Sequence, residues 1–262
     1  MSIPTLPPSA PRVRLSIVSG SGAGGHVEVS RPVTFIGKRP GCKIALNHPQ
    51  VYPLHAVIVH TGHEVYVRDL TGKEATFHNE LKAVCERLTN GDAIRIAGWE
   101  LRVDIASAPL QPGSAAQAEE AGPEIVGFER IDNGKFYKLT RPVFVVGRRP
   151  TCDAVLPDRE VSRVHALFFK YLECMTVCDA LSKNGLLLND QPVQFARLRS
   201  GDVLGIEDFR LKMGSSVSAA EAVAPPTAVA KPAEPSAALG DDDVLDLLME
   251  RKPNHVDIHT PE

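Results

Sequence analysis

The amino-acid sequence predicts an all-β protein that contains two β-sandwich domains in tandem, and three observations carry this prediction. Residues 31–56 align without a gap on residues 141–166, and the same offset of 110 residues relates the Gly-Asp pairs at 91–92 and 201–202. Short apolar runs alternate with turn residues such as Asn-Gly in both copies. The pattern lacks the helical segments that would connect parallel strands. A register kept over so many positions indicates the duplication of one domain.

Each copy contains three runs with the composition of β-strands. They are VTFIG, HAVIVH and EVYVRDL in the first copy, and VFVVG, HALFF and MTVCDAL in the second. Branched and aromatic side chains pack well on a pleated surface, so these runs favour strands. Many short strands with turns about every 8–12 residues are typical of a β-sandwich.

Composition divides the chain into segments that can fold and segments that cannot. The segments between and after the two copies are rich in Ala, Pro and Gly, and they contain too few large apolar residues to form a core. We therefore predict an N-terminal arm at 1–11, a first domain at 12–105, a linker at 106–123, a second domain at 124–214, an Ala/Pro-rich linker at 215–240 and an acidic tail at 241–262.

The acidic tail contains one short amphipathic stretch at 241–252. Asp241 and Asp243 suit the N-terminus of a helix, and Arg251 and Lys252 suit its C-terminus. A helix of about ten residues is not stable alone in water. We therefore expect this stretch to dock on a second partner or on the sandwiches.

Hydropathy and charge exclude several classes of protein. No apolar stretch approaches the roughly 18 residues of a membrane span, and the start MSIPTLPPSAPRV lacks the apolar run of a secretory signal. The net charge is −3, but residues 215–262 hold nine acidic and three basic side chains, which leaves the rest only mildly basic. We therefore expect a cytoplasmic protein with no membrane partner and no nucleic-acid partner.

The five cysteines do not form a metal-binding pattern. The sequence has no CxxC pair, and Cys174 and Cys178, four apart in a strand-like run, lie too far apart for one tetrahedral ion. We expect reduced, mostly buried thiols, and we predict neither a metal nor another cofactor.

A glycine-rich stretch, GSGAGG at 20–25, fits the pattern of a dinucleotide-binding loop. That function requires a helix directly after the glycines, so that its N-terminus faces the pyrophosphate. A second strand-like run, HVEVS, follows instead. The stretch is therefore predicted to be a hairpin loop.

Ser162 and His165 stand three residues apart ahead of an apolar run, and such a pair raises the question of a nucleophile and its base. The sequence has no G-x-S-x-G elbow. The first copy keeps the histidine, as His55, but has Tyr52 where the serine stands. A histidine that is retained without its serine serves the fold, so we predict no catalytic residue and no enzyme.

The polar residues that the second copy keeps together follow the spacing G-R…S-R-x-H…D-x-x-S-x-N-G…N. They are Gly147, Arg148, Ser162, Arg163, His165, Asp179, Ser182, Lys183, Asn184, Gly185 and Asn189. This set resembles the forkhead-associated (FHA) domain, a β-sandwich that binds phosphothreonine peptides. The resemblance covers 124–214 strongly and 12–105 more weakly.

The resemblance implies roles for nine of these residues in the second copy. Arg148 is expected to place two N–H donors on the phosphate, Ser162 to donate its hydroxyl, and Lys183 to add a positive charge. Arg163 and Asn184 are expected to bind the peptide backbone. The supporting residues, which brace the loops and close the turn, are Gly147, His165, Gly185 and Asn189.

The first copy departs from the family pattern where the phosphate would bind. The replacements are Lys38 for the arginine, Tyr52 and Pro53 for Ser-Arg, Gly72 and Lys73 for Ser-Lys, Glu74 for the asparagine and Ala75 for the glycine. Glu74 would repel a phosphate dianion. The supporting positions Gly37, His55 and Asn79 remain. We expect this copy to fold, to bind phosphate poorly, and to serve as a packing or protein-contact module.

These expectations define a function and one alternative. The chain is predicted to be a phosphothreonine-peptide-binding adaptor or scaffold in kinase-dependent signalling or assembly, with a phosphothreonine-containing protein as its partner. The alternative is a structural subunit that makes phosphate-independent contacts through both sandwiches.

Overall fold

The computed structural model describes residues 3–20, 23–106 and 125–214. The linker at 215–240 and the predicted helix at 241–252 lie outside these ranges. Within them, every regular element is a β-strand. None of the described residues forms a helix long and apolar enough to cross a membrane.

The strands of the first copy form one six-stranded and one five-stranded sheet, in the orders β2-β1-β11-β10-β7-β8 and β4-β3-β5-β6-β9. Their bounds are β1 (Arg12–Ser19), β2 (His26–Val29), β3 (Val33–Gly37), β4 (Ile44–Ala45), β5 (Ala56–His60), β6 (Val65–Asp69), β7 (Thr76–His78), β8 (Leu81–Lys82), β9 (Cys85–Leu88), β10 (Ala93–Ile96) and β11 (Trp99–Ala106).

The strands of the second copy repeat this arrangement, with sheet orders β13-β12-β22-β21-β18-β19 and β15-β14-β16-β17-β20. Their bounds are β12 (Gly127–Arg130), β13 (Phe136–Lys138), β14 (Val143–Gly147), β15 (Ala154–Val155), β16 (Ala166–Tyr171), β17 (Cys174–Asp179), β18 (Leu186–Leu188), β19 (Gln191–Val193), β20 (Phe195–Arg197), β21 (Val203–Ile206) and β22 (Phe209–Gly214).

The prediction of two tandem β-sandwiches is confirmed. The six predicted runs form β3, β5 and β6 in the first sandwich and β14, β16 and β17 in the second. The described residues of the glycine-rich stretch, Gly20 and residues 23–25, lie between β1 and β2, which pair antiparallel as a hairpin requires. Both sandwiches fall within one compact unit, so the domain boundaries within it stay predictions.

Each sandwich has its own apolar core between its two sheets. In the first, Leu15, Ile36 and Ile94 are among the fully buried side chains. In the second, the Phe128 ring stacks on the Phe168 ring with centroids 5.3 Å apart. Burying one such side chain contributes about 1.5–3 kcal/mol, so these cores stabilise each sandwich in its own right.

A third apolar cluster joins the outer faces of the two five-stranded sheets. Along β3, Phe35 points into this cluster while its neighbour Ile36 points into the first core. Along β14, Val145 points into the cluster while Val146 points into the second core. Both strands are therefore buried on both faces, which explains why neither alternates apolar and exposed polar residues. The two sandwiches pack sheet against sheet, and we call this contact the sandwich interface.

Equivalent residues meet across the sandwich interface, which shows that a pseudo-two-fold axis relates the copies. A Cβ built on Gly62 would lie 2.5 Å from Cδ2 of Leu172, and 172 is the position equivalent to 62. A residue that contacts its own equivalent lies near the rotation axis, and reciprocal contacts between the copies make that axis a pseudo-two-fold. The sequence did not predict this arrangement.

Two further contacts place the loop ends of both sandwiches at the same end of the unit. A Cβ on Gly41 would lie 3.2 Å from Leu181, and one on Gly72 would lie 2.1 Å from Oγ1 of Thr151. The offset of 110 residues exchanges these two contacts to within one residue, because 151 is equivalent to 41 and 181 is equivalent to 71, the neighbour of Gly72. The loops that follow β3 and β6 therefore lie beside those that follow β14 and β17.

A buried ion pair crosses the interface. Nη2 of Arg68 donates to Oδ2 of Asp153 at 3.0 Å, and the two side chains are 3% and 8% exposed. The same carboxylate accepts the N–H of Val145 at 2.8 Å and Nη1 of Arg141 at 2.7 Å. Asp153 thus links the first sandwich to a strand of the second.

Candidate functional site

The predicted site residues lie on three neighbouring loops at one end of the second sandwich. One loop follows β14, one precedes β16, and one connects β17 to β18. The N–H of Arg148 donates to the carbonyl of Ser162 at 3.0 Å, and the N–H of Lys183 donates to Oγ of Ser162 at 3.1 Å. These bonds place Arg148, Ser162 and Lys183 on one connected surface.

Gly147 allows the first two loops to approach each other. A Cβ at this position would lie 2.4 Å from the carbonyl oxygen of Arg163, closer than real Cβ atoms come to any heavy atom. A Cβ built on Gly37 would likewise lie 2.3 Å from the carbonyl oxygen of Pro53. The two glycines therefore hold the same position in the two sandwiches because backbone approaches backbone there.

His165 is fully buried and joins the second loop to the third. Its Nδ1 accepts the N–H of Ser162 at 3.2 Å, and its Nε2 lies 2.9 Å from the carbonyl oxygen of Gly185. Because Nδ1 is an acceptor, the ring is neutral and Nε2–H is the donor to that carbonyl. Both ring nitrogens are occupied by backbone groups, so this histidine positions the loops rather than acting as a base for the serine hydroxyl.

His55 has the same position in the first sandwich. Its Nδ1 accepts the N–H of Tyr52 at 3.1 Å, and its Nε2 lies 3.3 Å from the carbonyl oxygen of Ala75. Burial lowers the pKa of His55, which favours the neutral ring that this geometry requires. The histidine therefore has a loop-bracing role in both copies.

Asp179 organises the third loop, and sequence reasoning did not assign it a role. Its carboxylate accepts the hydroxyl of Ser182 and, at 3.1 Å, the N–H of the same residue. Oγ of Ser182 in turn accepts the N–H of Gly185 at 2.9 Å. Retention of an aspartate at both 69 and 179 was the signal available in the sequence. The network fixes the turn that presents Lys183 and Asn184.

Asn189 stabilises the hairpin beside the site. Its Nδ2 donates to Asp202 at 2.9 Å, and its Oδ1 accepts the N–H of Val203 at 2.9 Å. In the first copy Asn79 makes the same two kinds of bond, to Asp92 and Ala93. This asparagine lies in a supporting position in each sandwich.

The charged groups of the site differ in how they are held. Among the described residues, the half-buried Arg148 side chain has no hydrogen-bond or ion-pair partner. Nζ of the exposed Lys183 donates to Oε2 of Glu160 at 2.9 Å, and this hydrogen bond raises the pKa of Lys183. Asn184 donates to both carboxylate oxygens of Glu207, at 3.0 and 3.1 Å. The two acidic neighbours were not anticipated from the sequence.

The equivalent surface of the first sandwich is arranged differently. Nζ of Lys38 lies 3.5 Å from the carbonyl oxygen of Pro49, and Glu74 pairs with Lys82 at 3.4 Å. Gly72 replaces the loop serine, and Oγ1 of Thr151 in the second sandwich lies where a side chain would stand. The glycine thus makes room for the sandwich interface.

No metal site is found within the described ranges, and burial keeps four of the thiols there protonated. No group of three His, Cys, Asp or Glu residues there is placed to bind a metal ion. Burial raises the pKa of Cys42, Cys85 and Cys178, and it raises that of Cys152 to about 11. These four thiols are therefore held in the protonated form at neutral pH.

Comparison with known proteins assigns the family. The model of the FHA domain matches residues 34–97 and again residues 144–207. GarA of Mycobacterium tuberculosis, named a glycogen accumulation regulator, is 33% identical over 144 residues, which cover 55% of this chain and 83% of GarA. The chain belongs to the FHA domain family.

Further relatives of this FHA protein include regulators and solved domains. An oxoglutarate dehydrogenase inhibitor of Corynebacterium diphtheriae is 40% identical over 78 residues, which cover 30% of this chain and 54% of the inhibitor. An FHA domain solved in a study of phosphothreonine-dependent FHA interactions is 28% identical, with a TM-score of 0.33. That alignment covers 35% of this chain and 96% of the solved domain.

Proposed function

We propose that this FHA protein is an adaptor that binds phosphothreonine peptides through its second domain and acts in kinase-dependent signalling or assembly. The observation that carries the proposal is the pairing of Arg148 with Ser162 on hydrogen-bonded loops. Oγ of Ser162 accepts the N–H of Lys183, so its own proton is available for an external acceptor. The first copy has Lys38 and Tyr52 at the equivalent positions.

The chemistry of the three side chains fits a phosphate dianion. A phosphothreonine brings a charge of about −1.5 to −2 and three acceptor oxygens. Arg148 offers two parallel N–H donors, Ser162 a hydroxyl and Lys183 a point charge. Lys183 is paired with Glu160, but both side chains are exposed and water screens their charges, so the pair is weak. The phosphate can therefore recruit the lysine at little cost.

Arg163 and Asn184 are proposed to bind the peptide backbone. The Arg163 side chain is exposed beside Ser162, on the same loop. The Asn184 amide donates to Glu207, so contact with a peptide requires it to use its free oxygen or to exchange this partner. A bound peptide is therefore expected to move Glu207.

The chain is proposed to act by binding rather than by catalysis. His165 contacts the backbone of Ser162 and Gly185, and its orientation leaves the serine without a base. The related proteins are named as a regulator and as an inhibitor, which supports a non-catalytic role. A phosphothreonine protein as partner, the absence of nucleic-acid and membrane partners, and a cytoplasmic location stay predictions.

The first domain is proposed to be a packing module. Its five-stranded sheet is buried against the second domain, and Gly72 and Glu74 stand where a phosphate site would need a donor. The alternative is a structural subunit that makes phosphate-independent contacts through both sandwiches. The sandwich interface is such a contact, and it favours this role for the first domain only.

A matched pair of substitutions tests the proposed function. Calorimetric titration of the whole chain with a phosphothreonine peptide should show that Arg148→Ala weakens binding about 10- to 100-fold, because removing a charge-assisted hydrogen bond costs about 1.5–3 kcal/mol. Ser162→Ala should weaken it somewhat less. The control is Lys38→Ala, at the equivalent position of the first copy, which should change almost nothing.

Two results would contradict the proposal. Equal affinity for the phosphorylated and the unphosphorylated peptide would show that the chain does not recognise the phosphate. A loss of affinity in Lys38→Ala but not in Arg148→Ala would assign the site to the first domain.

A further inference from the structure

The loop that follows β3 in the first sandwich lies beside the candidate site of the second. A Cβ built on Gly41 would lie 3.2 Å from Cδ2 and 3.3 Å from Cδ1 of Leu181. Leu181 directly precedes Ser182 and Lys183 in the loop that Asp179 organises. A peptide bound at the second domain therefore lies close to residues 39–42 of the first domain.

The pseudo-two-fold axis indicates where Arg39 lies. Its equivalent, Arg149, crosses the sandwich interface and donates from Nη1 to the carbonyl of Leu70. The position equivalent to Leu70 is Ala180, next to Leu181. The two-fold relation thus places the backbone of Arg39 across from 180–183, at the edge of the candidate site, while its exposed side chain makes no bond equivalent to that of Arg149 in the described part of the chain.

Arg39 differs from Arg149 in being available to a ligand. Arg149 is partly buried, and burial lowers its pKa, whereas Arg39 is exposed. The backbone N–H of Arg39 is fixed by the carbonyl of Pro53 at 2.8 Å. Within 3–20, 23–106 and 125–214, its guanidinium has no hydrogen-bond or ion-pair partner. The asymmetry leaves one arginine structural and the other free.

Further cations make this end of the molecule suited to an acidic peptide. Lys38 and Lys43, on either side of Arg39, are also exposed. Of the nearby carboxylates, Glu160 is paired with Lys183, whereas Glu207 accepts from the neutral Asn184 amide and keeps its charge, which the three cations outnumber. The field beside the site therefore favours negative charge.

We propose that Arg39 of the first domain selects peptides with an acidic residue next to the phosphothreonine bound by the second domain. This inference rests on the proposed function of the second domain. It makes the peptide-binding surface composite, with the phosphate bound by one copy and a flanking carboxylate by the other. The first domain then contributes to specificity without binding phosphate itself.

The test compares two phosphothreonine peptides, one with Glu and one with Gln at the positions flanking the phosphothreonine. The whole chain is titrated with each peptide, and the ratio of the two affinities measures acidic preference. Arg39→Gln should lower this ratio about two- to fivefold, the range for an exposed charge pair, and Arg39→Glu about tenfold. Both effects should shrink in 0.5 M salt, because ions screen exposed charges.

Arg12→Glu is the matched control. Arg12 is an exposed arginine at the start of β1, and Pro11 before it accepts a hydrogen bond from His60 at the far end of β5. Its substitution changes the net charge equally but lies away from the loops of the site, so the ratio should stay at the wild-type value. The affinity of Arg39→Glu for the Gln peptide should change little, which shows that the phosphate site is intact.

The outcomes separate this inference from the proposed function. If the wild-type chain binds phosphothreonine through Arg148 but Arg39→Glu and Arg12→Glu give the same ratio, the inference is overturned and the proposed function stands. If the wild-type chain shows no dependence on phosphate, both are overturned. A drop in ratio confined to the Arg39 variants supports the composite surface.

Discussion

Replacing Asp153 with alanine should strongly destabilise the packed pair of sandwiches. The substitution removes the carboxylate that faces Arg68 across the sandwich interface. Arg68 is 3% exposed, its Nη1 has one further acceptor at 3.3 Å, and its Nε has none among the described residues. Without Asp153 the guanidinium therefore keeps only one neutral acceptor among the described residues, the carbonyl of Val84.

The expected loss is about 3–5 kcal/mol in the free energy of unfolding, the range for breaking a buried pair by removing one partner. Part of this loss comes from the N–H of Val145, which has no acceptor once Asp153 is removed. That part amounts to about 1–3 kcal/mol. The contact with Arg141 adds little, because that side chain is 44% exposed and such pairs are worth about 0–1 kcal/mol.

Urea unfolding of the whole chain measures this loss. With a slope of about 2–3 kcal/mol/M, the midpoint should fall by roughly 1–2 M. Lys43→Ala, at the position equivalent to Asp153, is the control and should shift the midpoint little. Replacing both partners with apolar residues, Arg68→Met and Asp153→Leu, should recover most of the loss. If Asp153→Ala lowered the free energy of unfolding by less than about 1 kcal/mol, the conclusion that it leaves Arg68 buried without a charged partner would be wrong.

Two further predictions concern backbone space and acid stability. Gly72→Ala should lower the free energy of unfolding by about 2–4 kcal/mol, because the backbone has φ +68° and the new Cβ would lie 2.1 Å from Thr151. Gly91→Ala, at φ +89° in open space, should lower it by only about 1 kcal/mol. Urea unfolding measures both, and equal losses would show that the sandwich interface adjusts freely to the added methyl group. Burial would raise the pKa of Asp92, but bonds from Thr89, Asn79 and His78 outweigh it and hold the pKa at about 2, so its stabilisation is complete above pH about 4 and is lost as the pH falls towards 2. Asp92→Asn should remove about 1–2 kcal/mol of that pH-dependent loss after allowance for solvent screening, and an unchanged pH profile of unfolding would contradict this assignment.

The sequence predicted the sandwiches and the supporting residues of the site because their signals are local. Unbroken apolar runs such as VTFIG indicate strands, and the glycine and histidine retained at both copies indicate shared backbone geometry. These features depend on residues close in sequence or on the repeat itself. The family pattern then added the roles of Arg148 and Ser162.

The sandwich interface was not predicted, because the sequence features that reflect it also occur in strands buried for other reasons. An unbroken run in β3 or β14 fits a strand buried on both faces, but nothing in the run says what covers the second face. Arg68 and Asp153 break the repeat, since their equivalents are Cys178 and Lys43. Positions where two copies differ in charge are therefore candidates for contacts between them.

The presence of Glu160 and Glu207 beside the candidate site was missed for a related reason. Each lies far in sequence from the residue that it bonds, Lys183 and Asn184 respectively. Only the folded loops bring these carboxylates to the site. Whether a cation near a phosphate site is already paired is a property of the tertiary structure.

The two-fold packing has a consequence for how many ligands one molecule can hold. A symmetric pair with its loops at one end would offer two equal pockets side by side, and a doubly phosphorylated partner would then gain affinity from binding both at once. Under the function proposed above, only the second domain of this pair binds phosphate, and its Thr151 lies where a side chain of the first domain's loop would stand. A partner with two phosphothreonines would then engage one per molecule, and clustering of the partner would require several molecules of this chain. The covalent link keeps the pairing of the two domains independent of concentration, so this valency would not change with the level of expression.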